Sequence, residues 1–271
     1  MSSPIRIIVH GAAGRIGRSI LDLLHRDTRF VLTAAVVKPG SELEGQPVAN
    51  VVVPGEPRYQ TRLDDLDADV LIDFSTPHAA VQALQWCASQ QVRMVSGTTG
   101  FDQQAMQVMQ QACQSTAVLH AANFSLGVAL LMRWVREAAA ALPEWDLEIA
   151  EAHHARKEDA PSGTALALGR VAAAARGCDF EQCADLVRQG HTGPRQPGHI
   201  GFAVTRAGDI VGEHSVLLVG RGERLELMHR ADSRSIFARG ALVAAAWLSG
   251  RESGRYELEQ VLQGMDSLQS R

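Results

Sequence analysis

Apolar positions follow two rhythms along the chain, and the rhythm changes near residue 124. Through 5–124, short and almost wholly apolar runs at 5–10 (IRIIVH), 30–37, 69–74 (DVLIDF), 92–96 and 116–121 alternate with stretches of helical spacing near 15–26, 77–90 and 102–115. A strand apolar on both sides must be covered on both sides, so strand and helix in alternation predict a doubly wound parallel sheet. After 124 a helix at 125–142 is followed by strands at 146–152, 198–206, 213–220 and 223–230, with one further helix at 163–176. Strands that follow each other with little helix between them predict a second, α+β domain whose sheet is mixed and largely antiparallel. A final helix near 235–249, with the small-residue run ALVAAAWL, is placed to pack back on the first domain. The expected divisions are 1–124, 125–233, and a C-terminal segment 234–271 returning to the first domain.

Composition narrows the function classes. At 271 residues and 46% hydrophobic content the chain can bury a substantial core. Net charge is −4, and no basic run stands beside aromatic residues, so no nucleic-acid surface is expected. No apolar window is long enough to span a membrane, and MSSPIRIIVHG does not read as a signal peptide. Cys87, Cys113, Cys178 and Cys183 lack C-x-x-C spacing and read as buried thiols of a cytoplasmic protein. The 26 basic residues comprise 24 arginines and only two lysines, Lys38 and Lys157. Arginine keeps its proton at any working pH, so these two lysines are candidates for work arginine cannot do.

The first strand runs directly into G-x-x-G-x-x-G, at Gly11, Gly14 and Gly17, and then into the amphipathic SILDLLHR. Glycines allow a tight turn and close approach of backbone to a pyrophosphate, and a helix start favours an anion, so the pattern predicts a Rossmann-type dinucleotide-binding domain. An NAD-binding acid is expected at the end of the second strand, but Val37 and Lys38 stand there. A cation in that place predicts NADPH in preference to NADH; Lys38 as a solvated turn residue, or Glu42 or Glu44 folding back on the ribose, are the alternatives. The loops VSGTTGF (95–101) and HAANFS (120–125) follow later strands, where ligands of open α/β sheets sit.

The densest chemistry lies in EAHHARKEDAPSGTA, residues 151–165. His153 and Lys157 lie one turn apart if the stretch is helical, and in a loop they can still converge. Adjacent histidines point apart and H-E-x-x-H is absent, so no metal site is expected. Ser162 has the form of a helix cap that leaves the amides of Gly163 and Thr164 for a carboxylate. With His153, His154 and Lys157 just upstream, the donors suit a small substrate carrying two carboxylates.

These residues resemble the 4-hydroxy-tetrahydrodipicolinate (dihydrodipicolinate) reductase family. The likeness runs through GAAGRIG, IDFSTP, SGTTGF, AANFSLGV, EAHHARKEDAPSGTA, GHTGPRQPGHIGF, RAGDIVGEHSV and the SR of ADSRSIFARGA. It implies reduction of a cyclic imine dicarboxylate in lysine biosynthesis, with hydride delivered to C4 and C3 protonated by His153, assisted by Lys157. It implies that His154, Gly163 and Thr164 bind substrate carboxylate. Cofactor contacts are implied at Gly11, Ala12, Ala13, Gly14, Arg15 and Ile16, at Gly97, Thr98 and Thr99, and at Ala121, Ala122, Asn123 and Phe124. Hinge closure and a homotetramer formed by the second domain are also implied. Many members carry an acid followed by arginine where this chain has Val37 and Lys38, a departure that argues against equal use of both nucleotides. The alternatives are an inactive nucleotide-sensing protein of the same fold, for which an intact His153 and Lys157 would be superfluous, and a semialdehyde dehydrogenase type, which would need a nucleophilic cysteine in an active-site loop.

Overall fold

The computed structural model describes residues 3–48 and 56–269. The chain forms two compact units, one of residues 1–126 with 235–271 and one of 127–234. In chain order the elements are β1 (Ile5–His10), α1 (Arg15–Leu24), β2 (Phe30–Val36), β3 (Tyr59–Gln60), β4 (Val70–Asp73), α2 (Pro77–Gln90), β5 (Arg93–Ser96), α3 (Gln103–Ala112) and β6 (Ala117–His120). There follow α4 (Leu126–Ala141), β7 (Asp146–His153), α5 (Gly163–Arg176), α6 (Phe180–Cys183), β8 (Ala184–Asp185), β9 (Ile200–Arg206), β10 (Gly212–Val219) and β11 (Arg224–Ala231). The chain ends with α7 (Ser235–Leu248), β12 (Gly254–Tyr256) and α8 (Leu258–Gln269).

In the first unit seven strands pair in the order β12-β6-β5-β4-β1-β2-β3, and every pairing is parallel. The apolar runs form its middle: Ile7, Ile8 and Val9, then Val70, Leu71 and Ile72, are fully buried. Ala83, Leu84 and Met109 of α2 and α3 pack over Ile8, Leu71 and Met94, and each such side chain contributes about 1.5–3 kcal/mol by leaving water. Helix starts follow local chemistry: Thr76 caps α2 ahead of Pro77, and the Asp102 carboxylate accepts the Ala105 amide at 2.8 Å to open α3. The C-terminal segment lies in this unit, where α7 packs against α1 and β12 extends the sheet beside β6. At Gly240 of α7 a Cβ would fall on the Phe124 carbonyl, so glycine sets how closely that helix approaches the 121–124 loop.

The second unit holds a five-stranded sheet, β11-β10-β7-β9-β8. Its β11-β10-β7 part is antiparallel and its β7-β9-β8 part parallel. The sheet is therefore mixed, with the longer ladders in its antiparallel part. The chain crosses over through α5 between β7 and β9, and a crossover of that length returns a parallel strand. Leu131 and Val135 of α4 and Leu168 and Ala172 of α5 cover Ile149 and Val216 on one face. Gly169 lets α5 settle onto the rings of Phe202 and Phe180, which a Cβ would enter.

The expectation of buried thiols is met at Cys87 and Cys183, whereas Cys113 and Cys178 are half-buried. Both of the latter directly follow the end of a helix, α3 and α5, where the chain turns at the surface. Among the described residues no helix is long and apolar enough to cross a membrane.

Candidate active site

Chain order in the first sheet runs outward from β1 through β2 to β3 on one side and from β4 through β5 to β6 on the other. The reversal lies between β1 and β4, the place where such sheets hold ligands beyond their carboxyl ends. Here His10, Asp73, Ser96 and His120 stand in register across four strands. Asp73 is fully buried and accepts hydrogen bonds from His10 Nδ1 (2.9 Å), Ser75 Oγ (2.5 Å), Ser96 Oγ (2.8 Å) and Thr98 Oγ1 (2.7 Å). Burial alone would push this carboxyl up; the His10 contact, with Ser75 and Thr98, outweighs it and holds the group below the usual carboxylate range. Asp73 thus ties the ends of β1, β4 and β5 and the two loops that follow β4 and β5 into one polar knot. The sequence signal was present: an acid closing the otherwise apolar run DVLID.

The glycine loop packs against this knot. Gly11 has φ of +77°, and a Cβ on it would strike the Phe74 carbonyl; a Cβ on Gly17 would strike the Gly11 carbonyl. The Gly11 and Ala12 amides both donate to Val36 O at 3.0 Å, so the fully buried Ala12 shapes the turn and offers no free amide. Gly14 is the N-cap of α1, no side chain caps that helix, and Gly14 and Arg15 are exposed. The start of α1 therefore keeps its amides and its positive dipole end for an anion, with no Cβ at Gly14 in the way, an arrangement that fits a dinucleotide pyrophosphate.

The remaining positions expected around the nicotinamide divide by burial. Thr98 is buried and spends its hydroxyl on Asp73 and the Ser75 amide, while a Cβ on Gly97 would enter the Phe74 ring. Phe124 is buried edge-on against Phe74 with ring centres 5.5 Å apart. The Ala121 amide donates to Ser96 O, and Asn123 Oδ1 accepts the Ser125 amide. Thr99 and Ala122 are exposed. Lys38 is exposed just beyond β2, with no acidic partner among the described residues, whereas Glu44 accepts a hydrogen bond from Thr61 Oγ1 at 2.7 Å.

In the second unit the histidine and lysine stretch is not helical. His153 ends β7, and the Ala207 amide donates to His153 O and the Ala155 amide to Gly208 O. That pairing with the β9-β10 connection draws the chain away from a helix, and a tight turn, Lys157 N to His154 O, follows. His153 Nδ1 donates to Glu151 Oε2 at 2.6 Å, and its ring stands edge-on to His214 at 5.2 Å. The other edge of the His153 ring passes Gly212, where a Cβ would come within 3.0 Å of Nε2.

Glu151 is the hub. Its carboxylate receives two 2.7 Å hydrogen bonds from Arg206, the one from His153, and the Ser162 amide at 2.9 Å. Burial would raise its pKa, yet Arg206, His153 and Ser162 together hold it below the ordinary value. Ser162 caps α5 as expected, its Oγ accepting the Ala165 amide at 3.2 Å and meeting His214 Nε2 at 3.1 Å. The next residue, exposed Gly163, has open space where a side chain would stand. Thr164 follows in the first helical turn, where backbone amides lack intrahelical partners.

Lys157 is not hydrogen-bonded to His153; its Nζ donates to both Asp159 oxygens, at 2.7 and 2.9 Å. His154 is half-buried with Nδ1 unpartnered. Its pKa is lowered by desolvation and then by the charges of Arg234, Arg156, His153 and Lys157. Positive charge thus surrounds His154. Sequence reasoning quoted Glu151, Arg206, His214 and Arg234 only inside motifs and gave none of them a part in the site. Among the described residues no group of three or more His, Cys, Asp or Glu is placed to hold a metal.

Burial, with His153 beside it, pushes His214 down to about 4 from 6.5. The folded state then binds fewer protons than the unfolded chain between those values, so stability present above pH 6.5 is lost as pH falls toward 4. The expected loss is roughly 3 kcal/mol. Urea unfolding across this window should show that slope in the wild type and a much shallower one in His214→Gln.

Comparison with known proteins covers both units. The model of the dihydrodipicolinate reductase N-terminus matches residues 5–124, and that of the C-terminus matches 127–262. A 4-hydroxy-tetrahydrodipicolinate reductase of Neisseria meningitidis serogroup B is 44% identical over 266 residues, covering 96% of this chain and 98% of that protein. The solved structure of a dipicolinate-bound dihydrodipicolinate reductase from Paenisporosarcina sp. TG-14 aligns with a TM-score of 0.78 at 25% identity, over 95% of this chain and 99% of that one. An aspartate semialdehyde dehydrogenase from Vibrio cholerae shares the fold alone, with a TM-score of 0.54 at 10% identity over 90% of this chain and 98% of that one.

Proposed function

The chain belongs to the dihydrodipicolinate reductase family, and from that premise we propose how its residues carry out the reaction. The protein is an NAD(P)H-dependent oxidoreductase of lysine biosynthesis that reduces 4-hydroxy-tetrahydrodipicolinate to tetrahydrodipicolinate. When bound, the reduced nicotinamide supplies a hydride, which C4 of the substrate ring accepts. Gly11 to Ile16, Lys38, Gly97 to Thr99 and Ala121 to Phe124 line that cofactor's site, Gly11 and Ala12 by shaping the glycine turn and the start of α1 by its amides, with Asp73 fixing the loops that follow β4 and β5.

His153 is the proton donor to C3. The observation that carries this is the 2.6 Å contact from its Nδ1 to a buried carboxylate that Arg206 also grips. That contact fixes the ring's orientation and leaves Nε2 as the edge that presents a proton. Lys157 and His154, with the first amides of α5 at Gly163 and Thr164, receive the substrate's carboxylates. Lys157 must leave Asp159 to do so, and a flexible ammonium on a short tether is suited to that exchange. A coupled assay with a synthase that makes the substrate, following loss of reduced-nicotinamide absorbance, tests the reading; absence of turnover with both cofactors would overturn it.

NADPH is the preferred cofactor, because an exposed Lys38, with no acidic partner among the described residues, stands where an NAD-selecting acid would stand. Lys38→Ala should raise KM for NADPH by roughly tenfold, the worth of one charge-assisted contact, and leave KM for NADH unchanged. Equal wild-type KM values for the two nucleotides would refute this assignment. The functional assembly is a homotetramer in the cytoplasm. The sheet face of the second unit opposite α4 and α5 supports this, since it carries exposed Ala150, Ala203 and Met228.

A further inference from the structure

In the second unit two thiols lie together where the end of α5 meets α6 and β8. α5 ends at Gly177, which takes the left-handed conformation at φ of +70°, and the Cys178 amide returns to Ala173 O at 3.0 Å. Asp179 then caps α6, and the Cys183 amide closes on Asp179 O at 3.0 Å. Two consecutive hydrogen-bonded turns thereby bring Cys178 Sγ and Cys183 Sγ to 2.6 Å. Neither residue belongs to the site above, and five residues of separation alone do not require their sulfurs to meet.

We propose that Cys178 and Cys183 are a dithiol that closes reversibly into an intrachain disulfide on exposure to a disulfide oxidant, fastening the end of α5 to the edge of the sheet. Three observations carry this beyond proximity. Cys178 is half-buried and reachable, whereas Cys183 is buried, which assigns the first attack to Cys178 and the resolving step to Cys183. The guanidinium of Arg176, two residues before Cys178, keeps Nε and Nη1 buried without partners while Nη2 donates to Trp145 O at 2.8 Å. Its charge acts on both cysteines, while burial and the Cys178 contact push the Cys183 thiol up to about 12, so Cys183 keeps its proton until the mixed disulfide forms. Finally, Cys183 leads directly into β8, which pairs with β9 and is held to it by Asp185 bonded to His199 Nδ1 at 2.9 Å. The closed bond would tie the C-terminal end of α5, whose other end carries Ser162 and Gly163, to that edge strand.

The chemistry balances with oxidised glutathione as the oxidant. The Cys178 thiolate attacks one glutathione sulfur, the glutathione disulfide breaks, and one glutathione thiolate leaves. The Cys183 thiol gives up its proton and attacks the Cys178 sulfur, expelling the second glutathione thiolate. The protein loses two electrons and two protons, and the oxidant is reduced to two glutathiones.

The test uses the full-length enzyme incubated with oxidised glutathione, then alkylated and weighed intact and as peptides. The expected result is a mass lower by two hydrogens before alkylation, one peptide linked through Cys178 and Cys183, and reversal by a dithiol reductant. In Cys183→Ser the reaction should stop with one glutathione retained on Cys178, and in Cys178→Ser no adduct should form at Cys183. Both variants should keep wild-type turnover, which shows that they fold. For a loop this short, the oxidised wild type should also melt roughly 4–8 °C higher than the reduced form. Recovery of both cysteines alkylated after oxidation, or a link that involves Cys87 or Cys113 instead, would overturn the proposal.

Discussion

His153→Ala is expected to lower kcat by about 10²-fold or more, the usual loss when a general acid is removed, with nucleotide affinity close to wild type. The split follows from where the groups lie. His153 sits in the second unit, and its bonds run to Glu151 of the same strand, whereas the glycine loop and the Asp73 knot belong to the first. Lys157→Ala should show a comparable fall in kcat with a raised KM for substrate, because in the proposed mechanism Lys157 both receives carboxylate and supports the protonated intermediate. Lys157→Arg should restore the KM more than the kcat, since guanidinium supplies the charge but does not exchange its proton. Steady-state kinetics with each variant, alongside nucleotide binding by fluorescence, check these outcomes. Wild-type kcat in His153→Ala would remove it from the mechanism.

Glu151→Gln is expected to cost about 3 kcal/mol in stability as well as turnover. Its carboxylate is the only partner at once to Arg206, His153 and the Ser162 amide among the described residues. The amide that replaces it cannot neutralise an Arg206 side chain only 18% exposed, and breaking a buried ion pair by removing one partner leaves the other charge uncompensated. A protein of this size should then lose roughly 6–12 °C in thermal midpoint. Calorimetry on the wild type, Glu151→Gln and the double variant Glu151→Gln/Arg206→Met separates the two contributions. The double variant should recover much of the stability and none of the activity, because the stranded charge is gone while His153 still lacks its anchor.

How much of this was legible in the sequence depended on the distance over which each interaction acts. The start of α5 was legible because Ser162, Gly163 and Ala165 settle it among themselves. The glycine turn was legible for the same reason: Gly11, Gly14 and Gly17 pack on one another. Glu151 was not, because its meaning comes from Arg206, 55 positions along, and the Ser162 that it holds meets His214 a further 52 positions on. Asp73 read as the end of a strand until His10, 63 positions earlier, was seen beside it. The short strands β3, β8 and β12 exist only because a longer neighbour offers an edge, and two or three residues carry no period of their own. Two local interactions in the same stretch also escaped, Lys157 with Asp159 and His153 with Glu151, since His153 and Lys157 offered themselves as partners to each other.

Where the hydride and the proton end up decides the mechanism. Turnover in ordinary water with reduced nicotinamide deuterated at its transferable position, read by nuclear magnetic resonance of the product, should place deuterium at C4 alone. In heavy water with unlabelled cofactor, the label should enter at the neighbouring C3. Deuterium from the cofactor at C3, or its loss to solvent, would contradict the account.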